Sequence, residues 1–391
     1  MGKRQGIEVS IAIAEAARLA RVDVVSAYPI TPQTHVVEHL SEFVADGDLD
    51  AAYIPVESEH SAMSACVGAA AAGARTFTST SAQGLALMHE ILFIASGLRL
   101  PIVMALANRS LSAPLSIWND QSDVMANRDC GWVQLFAENG QESCDFTIQA
   151  FRIGEDPRIS LPVIVNFDGF ILSHVIEPIE MPDQAEVDRY LPPFKPLRVL
   201  DVARPITIGP VGIPDIYTEA HMAQEDALLR SLDVTKEAWK EFDKVFGRRY
   251  EPVMCHDTGD AEVVFVIAGA LTESVRTVAK NLRARGEKVG VASIKLWRPF
   301  PFDDLYGAIE KARAVVVIDR AMSFGGPGGP IALEVKSMLY NRPRKPAVVE
   351  FIAGLGGRNL PFEEIEGMYA KAKKIAEGGA AAPYEIVGLR A

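Results

Sequence analysis

No two of the four cysteines, Cys66, Cys130, Cys144 and Cys255, form a Cys-x-x-Cys pair, so this chain carries no local structural zinc or iron-sulfur motif. They read instead as four buried thiols of a protein kept in a reducing compartment. The seven histidines form no metal pattern either: His35 and His39 stand four apart on a helix without a suitably spaced third ligand. No hydrophobic run is long enough to span a membrane. Met1 to Arg4 lead into a helix, Ile11 to Ala20, that Glu15 and Arg18 interrupt, which is not a signal segment, and a cytoplasmic location is expected. Basic residues are in deficit, Lys+Arg 39 against Asp+Glu 51. The resulting net charge of -12 argues against nucleic acid or an anionic membrane as partner. Phosphate-cradling loops are also missing, since no Gly-x-x-x-x-Gly-Lys occurs and no Gly-x-Gly-x-x-Gly follows a strand.

What remains is a globular chain of 391 residues, 49% hydrophobic, with room for two or three domains. Through residue 167 strands predicted at Val22 to Ala27, Ala51 to Val56, Arg75 to Thr80, Pro101 to Ala107 and Val163 to Phe167 alternate with helices, and a doubly wound parallel layer is the simplest α/β architecture. Prolines at 178, 182, 192, 193, 196, 205, 210 and 214 then mark an extended connection without a sheet pattern. It leads into an amphipathic helix from about Thr218 to Phe246 and reads as subunit-contact surface. A second α/β layer follows, with strands at Glu262 to Ala268, Lys288 to Leu296, Ala314 to Asp319 and Ala347 to Phe351. The expected division is 1–175, 176–259 and 260–391. A glycine-rich turn, Ser323 to Pro330, is either an approach to a ligand phosphate or a close backbone packing, and its prolines, which lack amide donors, favour packing.

Three polar islands interrupt the apolar pattern of the first layer where strands should end, and in an open α/β sheet ligands bind at such ends. The first is Tyr28-Pro29-Ile30-Thr31-Pro32, where Thr31 reads as an N-cap with proline at the first helical position and also brings a hydroxyl to the crevice. The second is Glu57-Ser58-Glu59-His60, opening a small-residue helix; a carboxylate there is either dipole compensation or a functional acid. The third is Asn108-Arg109-Ser110, and Arg109 is either an ion-pair partner or a binder of an anionic substrate.

Taken in order, Tyr28 to Pro32, Glu57-Ser58-Glu59-His60-Ser61-Ala62, Gly84 to Glu90, Asn108-Arg109, Ile117-Trp118-Asn119-Asp120 and Phe351 to Arg358 resemble the alpha subunit of 2-oxoacid:ferredoxin oxidoreductases, with the pyruvate-type, multi-subunit members as the closest likeness. The resemblance spans nearly the whole chain. It implies a pyrimidine-type thiamine-diphosphate-binding domain followed by a transketolase C-terminal-like domain. It further implies oxidative decarboxylation of a 2-oxoacid to acyl-coenzyme A and carbon dioxide, with electrons leaving through iron-sulfur clusters to ferredoxin. Alternatives are a branched-chain or aryl 2-oxoacid such as phenylglyoxylate, or a non-redox thiamine-dependent carbon-transfer subunit.

By the same resemblance Glu59, with Glu57 as competitor, is the glutamate that hydrogen-bonds the cofactor's aminopyrimidine ring, while Thr31 and Arg109 hold the substrate carboxylate and Pro29, Ile30 and Thr31 adjoin the cofactor. No Gly-Asp-Gly with a downstream Asn is present for diphosphate and magnesium. The resemblance therefore assigns Mg2+ and the [4Fe-4S] clusters to beta, gamma and delta-type partner subunits, with thiamine diphosphate shared between chains and coenzyme A as co-substrate. Two further residues bear on the likeness. Ala82 stands where members often carry serine, and Thr31 argues against the oxalate-specific relatives, which place an arginine in that motif.

Overall fold

The computed structural model describes residues 2–390. In its first part, strands β1 (Lys3–Glu8), β2 (Val24–Ala27), β3 (Ala52–Pro55), β4 (Thr76–Thr80), β5 (Val103–Asn108), β6 (Val133–Phe136), β7 (Val163–Asp168) and β8 (Ile176–Met181) are joined through helices α1 (Val9–Leu19), α2 (Thr34–Asp46), α3 (Glu59–Ala71), α4 (Ala82–Gly97), α5 (Ser122–Ala126) and α6 (Gly140–Gly154). After α7 (Gln184–Tyr190) and the long α8 (Pro214–Phe246) come β9 (Val253–His256), β10 (Val263–Ile267), α9 (Leu271–Ala284), β11 (Val289–Ile294) and β12 (Leu296–Arg298). The chain closes with α10 (Phe302–Ile309), β13 (Ala314–Asp319), α11 (Pro330–Tyr340), β14 (Ala347–Ile352), α12 (Phe362–Ala376) and β15 (Glu385–Ile386).

Every residue of β4, β5, β6, β7, β10, β11 and β13 is buried. Most of them read as largely apolar runs, because parallel strands covered by helices on both faces have no solvent side to make polar; β4, Thr-Phe-Thr-Ser-Thr, is the exception. The first sheet has the order β12-β6-β7-β5-β4-β2-β3 and is parallel except for β12. The second, β15-β14-β13-β10-β11-β9, is parallel except for β9. The expected pair of α/β layers is therefore present. Among the described residues no helix is long and apolar enough to cross a membrane.

Three features depart from the sequence expectation. The proline-rich stretch is not free of sheet: β8 pairs antiparallel with β1, and β9 joins the second sheet beside β11. β8, Ile-Glu-Pro-Ile-Glu-Met, is broken by charge and proline, and β9 has only four residues, so neither offers enough apolar periodicity to register. The strand expected to run through Leu296 ends at Ile294, after which β12 crosses to the first sheet and pairs Leu296 with Leu135. Helix α8 begins at Pro214, whose missing amide suits a first helical position, and stops at Gly247 in the left-handed conformation (φ 69°).

The two layers are locked by buried charge. Arg320 at the end of β13 is wholly buried, and its Nη1 lies 2.6 Å from Asp168 Oδ1 at the end of β7. The same carboxylate accepts hydrogen bonds from Ala270 N at 2.6 Å and Asn119 Nδ2 at 2.9 Å. A second lock sets Lys295 Nζ 2.6 Å from Glu138 Oε1 and 2.6 Å from Glu142 Oε2. Buried charges persist only when paired in this way.

Candidate active site

From β2 the chain moves outward to β3, then returns to the other side of β2 for β4 and continues to β5. The strand order thus reverses between β2 and β4, and a crevice opens beyond the carboxyl ends of strands at such a reversal. All three polar islands lie on this edge, Thr31 after β2, Glu59 after β3 and Arg109 after β5.

The structure separates the two glutamates of the second island. Glu57 is exposed, and the Ser61 hydroxyl donates to its carboxylate and holds it below the usual range. Glu59, at the first position of α3, is only 7% exposed, and among the described residues it has no hydrogen-bond or ion-pair partner. Ser58 caps the helix, its hydroxyl accepting from Ser61 N at 3.3 Å, so Glu59 is not needed as the cap. Its side chain lies over Gly84 in the first turn of α4: a Cβ there would stand 2.7 Å from Glu59 Oε1 and closer still to Thr80 Oγ1. Glycine at 84 is what admits the carboxylate. Gly84→Ala is expected to displace Glu59 at a cost of about 1–3 kcal/mol, with turnover of the assembled enzyme falling alongside. Chemical denaturation and a rate assay check both, and an alanine variant with unchanged turnover would show that the close approach is dispensable.

Thr31 is not a helix cap. Helix α2 starts at Thr34, because Gln33 N bonds back to Ile30 O at 2.9 Å and a turn comes first. In that turn Pro29 and Thr31 are exposed, Ile30 is half-buried, and the Thr31 carbonyl faces Arg109. The Arg109 side chain, 6% exposed, donates from Nη1 to Thr31 O at 2.9 Å and from Nε to Ser116 O at 2.8 Å. Both partners are neutral carbonyls, and among the described residues no carboxylate pairs with the guanidinium and Nη2 has no partner. Burial pushes this guanidinium below its ordinary pKa, opposed by the nearby charge of Asp123. A desolvated cation with an open edge is suited to an anion. The structure thus brings Thr31 and Arg109 into contact and sets Glu59 on the same edge, one strand beyond Thr31.

In the glycine-rich turn the amide of Gly329 donates to Glu350, and those of Ile331 and Ala332 donate to Asp319 Oδ1 and Oδ2 at 2.8 and 3.0 Å. The N-terminus of α11 is occupied by the protein's own carboxylates, so the turn is a packing device. Gly329 is needed there because a Cβ would lie 2.6 Å from Asp319 Oδ2. Cys66, Cys130 and Cys144 are buried, and burial raises the thiols of Cys66 and Cys130 to about 12. Cys255 is exposed, contrary to the expectation of four buried thiols, because β9 is an edge strand. Among the described residues no group of three or more His, Cys, Asp or Glu side chains is arranged to hold a metal.

Solved structures share this fold. A 2-oxoglutarate:ferredoxin oxidoreductase from Magnetococcus marinus matches with a TM-score of 0.74 at 20% identity, over 95% of this chain and 65% of that one. An inactive tetramer of a split-gene transketolase matches with a TM-score of 0.56 at 14% identity, over 95% of this chain and all of the other. Fold and site edge together define a transketolase-like, two-domain α/β chain.

In sequence, residues 15–240 match the family described as pyruvate flavodoxin/ferredoxin oxidoreductase, thiamine diphosphate-binding, and residues 261–365 match pyruvate:ferredoxin oxidoreductase core domain II. The pyruvate synthase subunit PorA of Pyrococcus furiosus is 46% identical over 389 residues, covering 99% of this chain and 98% of the relative. That of Methanothermobacter thermautotrophicus is 48% identical over 360 residues, 92% of this chain and 93% of the relative. The ketoisovalerate oxidoreductase subunit VorA of Pyrococcus horikoshii is 44% identical over 372 residues, 94% of this chain and 93% of the relative. The chain belongs to this family of enzymes, as the alpha-type subunit of a 2-oxoacid:ferredoxin oxidoreductase.

Proposed function

We propose that this chain supplies the pyrimidine-side half of a thiamine-diphosphate site and takes part in the conversion of pyruvate, coenzyme A and an oxidised electron carrier to acetyl-coenzyme A, carbon dioxide and reduced carrier. The observation that carries this reading is the buried Glu59 carboxylate, left without a partner among the described residues above Gly84 on the edge that also bears the open guanidinium of Arg109. A carboxylate without a partner suits a protonatable ring nitrogen, and an unpaired guanidinium suits a substrate carboxylate, so the residues present fit cofactor and substrate together. Thiamine diphosphate, when bound, supplies the electron sink for loss of carbon dioxide.

In this reading Glu59 holds and shares the proton on the pyrimidine ring. Arg109 and the Thr31 hydroxyl fix the substrate carboxylate, and Pro29 and Ile30 wall the same turn. Because Arg109 Nε and Nη1 are already spent on backbone carbonyls, the Nη2 edge is presented in one orientation. That preorganisation lowers the ordering cost of binding.

The rest of the machinery is assigned to partners: Mg2+ and [4Fe-4S] clusters on beta, gamma and delta-type subunits, ferredoxin as acceptor, and the cytoplasm as location. The exposed apolar side chains Ile216, Tyr217, Met222 and Leu229 along α8 support residues 176–259 as a contact surface between the parts 1–175 and 260–391 and neighbouring chains. A branched-chain 2-oxoacid is the second reading, favoured by the ketoisovalerate relative at nearly the identity of the pyruvate ones.

Anaerobic purification of the native complex tests this, with thiamine and iron quantified and a panel of 2-oxoacids offered with coenzyme A and a viologen dye. The expected result is coenzyme A-dependent dye reduction, fastest with pyruvate, and none from the isolated chain. An iron-free complex that transfers carbon units without reducing the dye would replace this reading with the non-redox one.

A further inference from the structure

One buried acid of this edge has no part in the reading above. Asp123, in α5, is wholly buried, and its two carboxylate oxygens accept four hydrogen bonds. Oδ2 accepts from Ala82 N at 3.1 Å and from Arg109 N at 2.9 Å. Oδ1 accepts from Asn108 Nδ2 at 3.1 Å and from Val124 N at 2.8 Å. Ala82 opens α4 at a positive φ of 41°, a conformation an alanine holds only when its surroundings impose it. Ser81, the preceding residue, makes no cap hydrogen bond to α4; its hydroxyl is turned toward β5 and donates to Ala107 O at 2.7 Å. Asp123 therefore stands in as the cap of α4 from another element.

The turn so held places Gly84 beneath Glu59, and the other amide on Oδ2 belongs to Arg109. A single oxygen thus ties the backbone that supports the cofactor-facing acid to the backbone that carries the substrate-facing cation. We infer that Asp123 is a positioning residue, setting the relative placement of Glu59 and Arg109 by gripping Ala82 and Arg109 with one carboxylate oxygen.

This inference rests on the thiamine reading. It deepens that reading with a residue that touches neither cofactor nor substrate. The ionised carboxylate is the form that can accept from four donors; a proton on either oxygen puts a donor where an acceptor is required. Burial raises the Asp123 carboxyl to about 7, against the lowering effect of its hydrogen bonds. Its charged neighbours are Arg109 on the β5 end and Asp120 in the loop before α5. His89 of α4 is linked more remotely, through Asn127, whose Nδ2 donates to Asp123 O at 2.9 Å.

The test uses the intact complex. In the wild-type enzyme kcat/KM for the 2-oxoacid is expected to fall as the pH drops through about 7 while thiamine diphosphate stays bound. Asn108→Ala removes a donor that favours the ionised form, so the same limb should move to higher pH. Asp123→Asn turns an amide against two N–H donors; roughly a tenfold or greater fall in kcat/KM is expected, and with it loss of the limb. If Asp123→Asn does not assemble, the Asn108→Ala profile decides. A limb that Asn108→Ala leaves in place, or an assembled Asp123→Asn enzyme with wild-type kcat and KM, would overturn the inference. A wild-type complex with no 2-oxoacid turnover at any pH would instead overturn the thiamine reading itself.

Discussion

Glu59→Gln should leave the complex assembled and lower its turnover by a factor on the order of 10²–10⁴, the usual contribution of a positioned acid or base. The substitution is nearly isosteric, so the contact over Gly84 and the start of α3 survive, and only the ability to take and return a proton is lost. Size-exclusion chromatography of the variant complex, beside a rate assay with 2-oxoacid and coenzyme A, separates assembly from chemistry. Glu57→Gln is the matched control: Glu57 is exposed and bonded to Ser61 of its own helix turn, so its loss should leave the rate close to wild type. Near wild-type turnover in Glu59→Gln, or collapse in Glu57→Gln, would reverse the assignment of the two carboxylates.

Replacing Arg109 by lysine is expected to raise KM for the 2-oxoacid and lower kcat/KM by roughly ten- to a hundredfold, the worth of about 1.5–3 kcal/mol for a hydrogen bond to a charged group. The guanidinium uses Nε and Nη1 on Ser116 O and Thr31 O and keeps Nη2 for a ligand. One ammonium cannot reproduce three directed contacts, so a lysine either holds the Thr31 turn or reaches the substrate. Steady-state kinetics over a range of 2-oxoacid concentrations, with thiamine diphosphate binding measured calorimetrically, gives the split. Loss of cofactor binding with unchanged KM would place Arg109 on the cofactor instead of the substrate.

Both expectations begin from positions visible in the chain. Each polar island follows a mostly apolar strand segment, and such a break at a strand terminus has a local cause that needs no tertiary structure to notice. Thr31 shows the limit of that logic. A threonine before a proline satisfies the local rule for a helix start, yet the helix begins at Thr34, because Gln33 N is bonded to Ile30 O and Gln33 Nε2 reaches back to Tyr28 O at 2.9 Å. The competing turn is as local as the cap it displaced, and side-chain hydrogen bonds of this kind routinely compete with helix starts.

The amino-acid sequence alone determined the two α/β layers, the spans of most of their strands and the edge on which the candidate site lies. Buried parallel strands tend to be apolar runs, and clusters of polar residues that break the pattern tend to lie at their ends. Only the tertiary structure decided which glutamate is buried, since Glu57 and Glu59 differ by two positions at one helix start and the outcome depends on Gly84, 25 residues beyond Glu59. It alone joined Arg109 to Thr31, gave Asp123 to the backbones of both Ala82 and Arg109, and paired Arg320 with Asp168. Those contacts link residues from 14 to 152 positions apart. No periodicity encodes them, because their partners meet only after the sheets have formed and the two layers have packed.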